Sequence, residues 1–144
     1  MLDFVGGYGT LSKYFGLKLL IFDPYIKDCN IDYISKEDYE TKKYKVVFNS
    51  AMFEYIRNRN DLEQLNQLVD NNGILIIHTV VCERIPKDSN WFYLRPLVHC
   101  AFHTNHSMEI LMDQWSYTAS IYCPQAKSWV LLKKKVDNIQ KKNS

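Results

Sequence analysis

The residues best suited to chemistry stand at the start of the chain, in Leu2-Asp3-Phe4-Val5-Gly6-Gly7-Tyr8-Gly9. Glycines at the carboxyl end of a first strand let backbone and ligand approach closely, at the edge where open α/β sheets bind ligands. Dinucleotide folds use Gly-x-Gly-x-x-Gly, with a helix N-terminus aimed at pyrophosphate. Gly7-Tyr8-Gly9 supplies two of those glycines, but Ser12 stands where the third belongs. The acid inside the strand, Asp3, would repel a pyrophosphate; it suits the ammonium of a methionine moiety, met directly or through water. The competing reading is a plain glycine turn, Gly6 to Gly9, beside a buried Asp. Asp23, at the end of the next apolar run, is the second anchor. A carboxylate there can accept hydrogen bonds from both hydroxyls of a ribose, although a turn Asp before Pro24 would read the same way. Tyr25 then either flanks an adenosine or lies on the surface.

Further along, Asn49-Ser50-Ala51 follows an apolar run, with Asn49 able to hydrogen-bond a ligand through backbone or side chain. His99 is the candidate general base: an imidazole with an ordinary pKa of ~6.5 can take the proton of an attacking hydroxyl. A loop histidine bonded to backbone is the alternative. Glu54 reads first as a structural, capping or pairing carboxylate. His99, Cys100, His103 and His106 invite a zinc reading, because His-x-x-x-His chelates on a helix. Pro96 and the extended-looking Val98 to Thr104 oppose a helix, and no second ligand pair is nearby, so no metal is expected.

Elements must hold these groups. A chain of 144 residues suggests one domain with a single core. Short apolar runs alternate with amphipathic stretches, the pattern of an α/β sheet. Strands are expected at Met1 to Val5, Leu17 to Phe22, Ile31 to Ile34, Lys45 to Asn49 and Ile74 to His78. A final hairpin is expected from Tyr117 to Tyr122 and Trp129 to Lys133, turning at Pro124-Gln125 and antiparallel because the connection is short. Helices are expected at Thr10 to Phe15, at Asn60 to Val69 capped by Asn60 or Asp61, and at Ser107 to Trp115. Asn71-Asn72-Gly73 should end the second helix, and Glu83 to Pro96 reads as an irregular aromatic loop.

A net charge of +2 gives little reason to expect a nucleic-acid partner. The domain is expected over residues 1–135, with 136–144 a basic polar tail. Cys29, Cys82, Cys100 and Cys123 are widely spaced and read as buried, reduced thiols. No stretch approaches the ~20 apolar residues of a membrane span, so a soluble, cytoplasmic protein is expected.

Taken in order, LDFVGGYG, FDPY, VVFNSAMFEYI, NNGILIIHT and WFYLRPLVHCAFHTNHSMEILM resemble the motifs of class I S-adenosylmethionine-dependent methyltransferases. The likeness is nearest to the bacterial branch that methylates sugars of capsule, lipopolysaccharide and related glycans. It implies a Rossmann-like, mostly parallel sheet with an antiparallel last strand. It also implies S-adenosylmethionine held by Asp3, Gly6, Gly7, Gly9, Asp23, Tyr25, Asn49 and Ser50, with His99 catalytic and a small-molecule or glycan substrate. Three departures accompany the likeness. Val5 replaces the first loop glycine, Tyr55 replaces the branch's His after Glu54, and the helices that usually precede the first strand are missing. The sequence is therefore N-terminally short for this fold. A fragment, a site covered by a homo- or hetero-oligomeric partner, an open and weak site, and a catalytically silent regulatory module are the alternatives that follow.

Overall fold

The computed structural model describes residues 1–26, 32–50, 52–95 and 98–133. Cys29, Ile31, Ala51, Pro96, Lys134, Lys135 and the basic tail lie outside the described residues. The central sheet uses six strands. These are β1 (Leu2–Phe4), β2 (Leu20–Phe22), β3 (Tyr44–Asn49), β4 (Val69–His78), β7 (Ala119–Cys123) and β8 (Ser128–Leu132). Their order is β2-β1-β3-β4-β8-β7. β1 pairs in parallel with β2 and β3, and β3 in parallel with β4. β8 is antiparallel to both neighbours, joining Ile76 to Val130 on one side and Ile121 to Val130 on the other. Parallel strands covered on both faces read as unbroken apolar runs, which is why Leu19 to Phe22, Val46 to Phe48 and Ile74 to Ile77 are recognisable. Two further strands, β5 (Val81–Cys82) and β6 (His103–Thr104), form a separate parallel pair.

The helices are α1 (Thr10–Phe15), α2 (Lys36–Glu40), α3 (Arg59–Gln67) and α4 (Asn105–Gln114). Leu2, Val47, Leu75, Ile77 and Leu131 from the sheet meet Leu65 of α3 and Met108 of α4 in one buried core. Thr104 caps α4 through a reciprocal box with Ser107, each side chain serving the other's backbone amide. α1 buries none of its side chains.

Several expected elements are corrected. Residues 32–34 form only an isolated parallel bridge, Ile21 to Tyr33, and not a strand. Asn58, rather than Asn60 or Asp61, caps α3 by accepting from the Asp61 amide. Helix α3 ends at Leu68, and the next residue, Val69, already pairs with Tyr44. Asn71-Asn72-Gly73 therefore lies within β4, in a register shift between Val69 and Ile74, and does not terminate the helix. Helix α2 escapes the sequence pattern because its five residues, capped by Ser35, carry a single buried apolar group, Tyr39. Among the described residues the thiols are free but not all buried: Cys100 and Cys123 are exposed and Cys82 is half-buried.

Candidate functional site

Strand β1 ends at Phe4, and the chain reverses at once through backbone that L-residues seldom adopt. Val5 has φ 62°, Gly7 57° and Gly9 69°. For a β-branched residue this is a true outlier. The turn is pinned to β2: the amides of Val5 and Gly6 both donate to the Phe22 carbonyl, at 2.7 and 3.2 Å. Gly9 is needed chiefly for its angle; a Cβ there would also press on the end of the Ile21 side chain, 2.6 Å from Cδ1.

Beneath this turn Asp3 is fully buried, and neither carboxylate oxygen has a hydrogen-bond partner among the described residues. Gly6 rests directly on it, with an added Cβ falling 2.6 Å from Cγ and Oδ2. Burial, helped by the charge of Asp23, pushes the Asp3 carboxyl up to about 6. An orphaned buried carboxyl is costly unless something cationic or proton-donating satisfies it.

Asp23 leaves β2 and turns its carboxylate onto the loops. Oδ2 accepts from the Gly7 amide at 3.0 Å, and Oδ1 from the amides of Tyr25 and Ile26 at 2.8 and 3.1 Å. The turn reading of Asp23 is thus present in its geometry, and its bond to Gly7 also ties the two loops together. Tyr33 reaches the same glycine from the other side, its hydroxyl donating to the Gly7 carbonyl at 2.6 Å. Asn49, at the end of β3, is buried and donates Nδ2 to the Phe4 carbonyl at 3.0 Å, leaving Oδ1 without a partner among the described residues. It ties β3 to β1 at the point where the two loops diverge. The Ser50 carbonyl meets His78 Nδ1 at 3.1 Å.

Right-handed crossovers place the β1–β2 and β2–β3 connections on opposite faces, because the chain moves outward to β2 and then back past β1. A crevice at the carboxyl ends of the strands is required at such a reversal. It is found there: a cleft of about 730 Å³ is lined by Phe4, Val5, Phe22, Tyr25, Met52 and Tyr55, among others. Its floor is aromatic, with Phe4 and Phe22 stacked at 5.4 Å and Phe22 against Tyr39 at 4.2 Å. Tyr25 is 89% exposed yet stands at its mouth. The size suits a drug-sized or nucleoside-sized molecule. Lys36, Arg57, Asp61 and Gln64 add charged and polar groups to the aromatic floor, and of the predicted cofactor residues the lining includes Tyr25 but not Asp3, the glycines, Asp23, Asn49 or Ser50.

His99 lies beside this cleft. Val98 and Tyr55 both line it, and the His99 ring meets Tyr55 edge-on at 5.2 Å. Tyr93 packs against the ring at 4.5 Å, and its carbonyl is 2.9 Å from Nδ1. A carbonyl can only accept, so Nδ1 carries hydrogen and, in the neutral ring, Nε2 holds the lone pair. His99 is thus bonded to backbone through Nδ1, with the Nε2 lone pair left over.

Sequence reasoning missed the braces behind this loop. Buried Glu54 accepts from Thr79 Oγ1 at 3.4 Å, and Thr79 Oγ1 lies 3.3 Å from the Tyr93 hydroxyl. The Glu54 carbonyl takes the amides of Cys100 and Ala101, at 2.8 and 3.1 Å. Burial raises the Tyr93 phenol. His103 points inward with Nε2 donating to the Phe53 carbonyl at 3.0 Å, and its burial lowers its pKa. The partners lie far apart in sequence, so no local signal exists for them. Among the described residues no cluster of three or more His, Cys, Asp or Glu could hold a metal ion, and no helix is long and apolar enough to cross a membrane.

Neither a protein-family model nor a curated protein sequence matches the chain. Solved structures do match it. Human N-acetylserotonin methyltransferase in complex with S-adenosylmethionine aligns with a TM-score of 0.63 at 17% identity, over 93% of this chain and 47% of the enzyme. A proposed O-methyltransferase of Nostoc punctiforme aligns at 0.56 and 15% identity, over 90% and 50%. Magnesium protoporphyrin IX methyltransferase of Synechocystis, with S-adenosylhomocysteine bound, aligns at 0.52 and 14% identity, over 90% and 71%. At such identities the likeness is one of fold. The fold is the Rossmann-like one of methyltransferases, with its antiparallel strand inserted next to the edge. This chain spans about half the length of the human and Nostoc proteins.

Proposed function

We propose that this chain is the core of an S-adenosylmethionine-dependent methyltransferase, with the cofactor in the cleft at the carboxyl ends of β1 and β2. The observation that carries the proposal is the orphaned Asp3 carboxyl under a glycine turn, at the crossover reversal of a methyltransferase fold. The residues of the turn, although not part of the cleft lining apart from Tyr25, have the chemistry the group needs. Asp3 offers a buried acceptor for an ammonium, Gly7 and Gly9 keep the turn free of side chains, and Asp23 keeps lone pairs for ribose hydroxyls beyond its three backbone bonds. Tyr25, Asn49 and Ser50 complete the proposed holding set. When bound, the cofactor supplies an electrophilic sulfonium methyl. The chain's own contribution is alignment and exclusion of water by the aromatic walls, which is most of what an in-line displacement needs. His99 Nε2, fixed by the Tyr93 carbonyl, would take the acceptor's proton.

The finer reading is a hydroxyl of a sugar or sugar nucleotide in surface-glycan synthesis as acceptor, as the sequence resemblance implies. Tyr55, which lines the cleft, offers a stacking surface for such a ring. Calorimetric titration with S-adenosylmethionine or its demethylated product should give saturable binding that Asp23→Ala removes. Absence of binding to the native chain sinks the proposal.

A second reading is favoured by a specific observation: Val5, at φ 62°, lines the cleft where the fold usually keeps a glycine. On this reading the chain is a catalytically silent methyltransferase-like module that works within a complex. Transfer of a labelled methyl to a nucleotide sugar by the purified chain would exclude it.

A further inference from the structure

From the contacts around Gly7 we infer that Tyr33 is a positioning residue, which holds the glycine turn in its ligand-ready shape and offsets the strain introduced by Val5. The inference rests on the cofactor reading for its consequence in binding, but its geometry is independent of that reading. Gly7 is gripped on both sides of its Cα. Its amide donates to Asp23 Oδ2 at 3.0 Å, and its carbonyl accepts from Tyr33 Oη at 2.6 Å. Tyr33 is itself anchored to β2. The Ile21 amide donates to the Asp32 carbonyl at 2.7 Å, and the Ile34 amide donates to the Ile21 carbonyl at 2.9 Å. Ile21 also supplies the methyl on which Gly9 rests. One short segment of β2 and its bridge therefore sets the position of both glycines.

A grip of this kind has a reason in the turn itself. Val5 occupies a left-handed conformation that its branched side chain disfavours. Strained backbone persists only where the surroundings over-determine it. The Val5 and Gly6 amides share one acceptor, the Phe22 carbonyl, so the first half of the turn is held from a single point. Tyr33 and Asp23 supply the missing restraint two residues later. The acceptor of the phenol's bond is backbone, and a Phe in place of Tyr33 keeps the ring while deleting that bond.

The test is a double-mutant cycle of Tyr33→Phe and Val5→Gly, read by calorimetry with S-adenosylhomocysteine and by amide hydrogen exchange of residues 5–9. Losing one neutral hydrogen bond should weaken binding about 5-fold in the Val5 background and raise exchange across the turn. In the Val5→Gly background the same substitution should cost clearly less, because the strain that the clamp opposes is gone. A merely structural tyrosine would lower the melting temperature equally in both backgrounds, with no coupling in binding or exchange, and that result overturns the inference. If the native chain binds no cofactor, the functional proposal fails and hydrogen exchange alone decides this one. Unchanged exchange in Tyr33→Phe then overturns it, and increased exchange relieved by Val5→Gly supports it.

Discussion

Replacing Asp3 by asparagine should make the protein more stable and its cofactor binding worse. The carboxyl titrates at about 6 in the folded chain against 3.8 when free, a factor of roughly 100 in proton affinity. The folded state therefore holds a proton that the unfolded chain has released, and stability falls as pH rises from about 3.8 to about 6. Above that window the ionised group costs about 3 kcal/mol. An asparagine side chain carries no such charge and matches the protonated acid in shape. Asp3→Asn should thus add about 3 kcal/mol at pH 7.5, on the order of 10 °C in melting temperature for a chain of this size. At pH 3.5 the two proteins should melt together. Binding should move the other way, because a charge-assisted contact to the ligand's ammonium is lost, a weakening of roughly 10- to 100-fold. Chemical denaturation of both proteins from pH 3.5 to 8, with cofactor titrations at pH 7.5, measures each quantity. Parallel pH profiles for the native and Asp3→Asn proteins, or a variant less stable than the native chain at pH 7.5, would refute the reasoning.

His103, held neutral by burial, adds stability above its ordinary pKa of 6.5 and loses it as pH falls from there through its lowered value; His103→Gln should remove this acid-side loss in the same denaturation series. His99→Gln should cut methyl transfer by roughly 10²- to 10⁴-fold while leaving calorimetric cofactor binding unchanged, as the imidazole is assigned to the acceptor's proton and not to the cofactor. Tyr93→Phe, which takes the phenol away from Thr79 Oγ1 and the Val80 amide, should destabilise by about 1 kcal/mol and increase proteolytic cutting within residues 83–103.

The parts legible in the sequence are those whose cause is local. Parallel strands announce themselves as apolar runs, and the bounds expected for α1 match the structure because Gly9 and Gly16 frame it. Asp3 and Asp23 stand out because acid within or just after a buried strand needs a reason. The hidden parts depend on partners distant in sequence. Nothing near Asn49 in sequence names the Phe4 carbonyl 45 positions away, and nothing near Tyr33 names Gly7. Val69 to Gly73 misleads because helix and strand chemistries compete there; pairing with Tyr44 settles the contest in favour of the sheet. Helix α2 is too short to show a period at all.

The place of β8 in the sheet has a consequence for how the protein is made. β7 emerges from the ribosome first, yet its pairing in the sheet is with β8, which also separates it from β4. Without β8, β7 has no partner in the sheet and the outer edge of β4 is open. This one segment completes two ladders at once. Ribosome-stalled chains ending before Ser128 should therefore carry an exposed, chaperone-attracting edge at β4, and the barrier to native structure should be set by the arrival of this one segment.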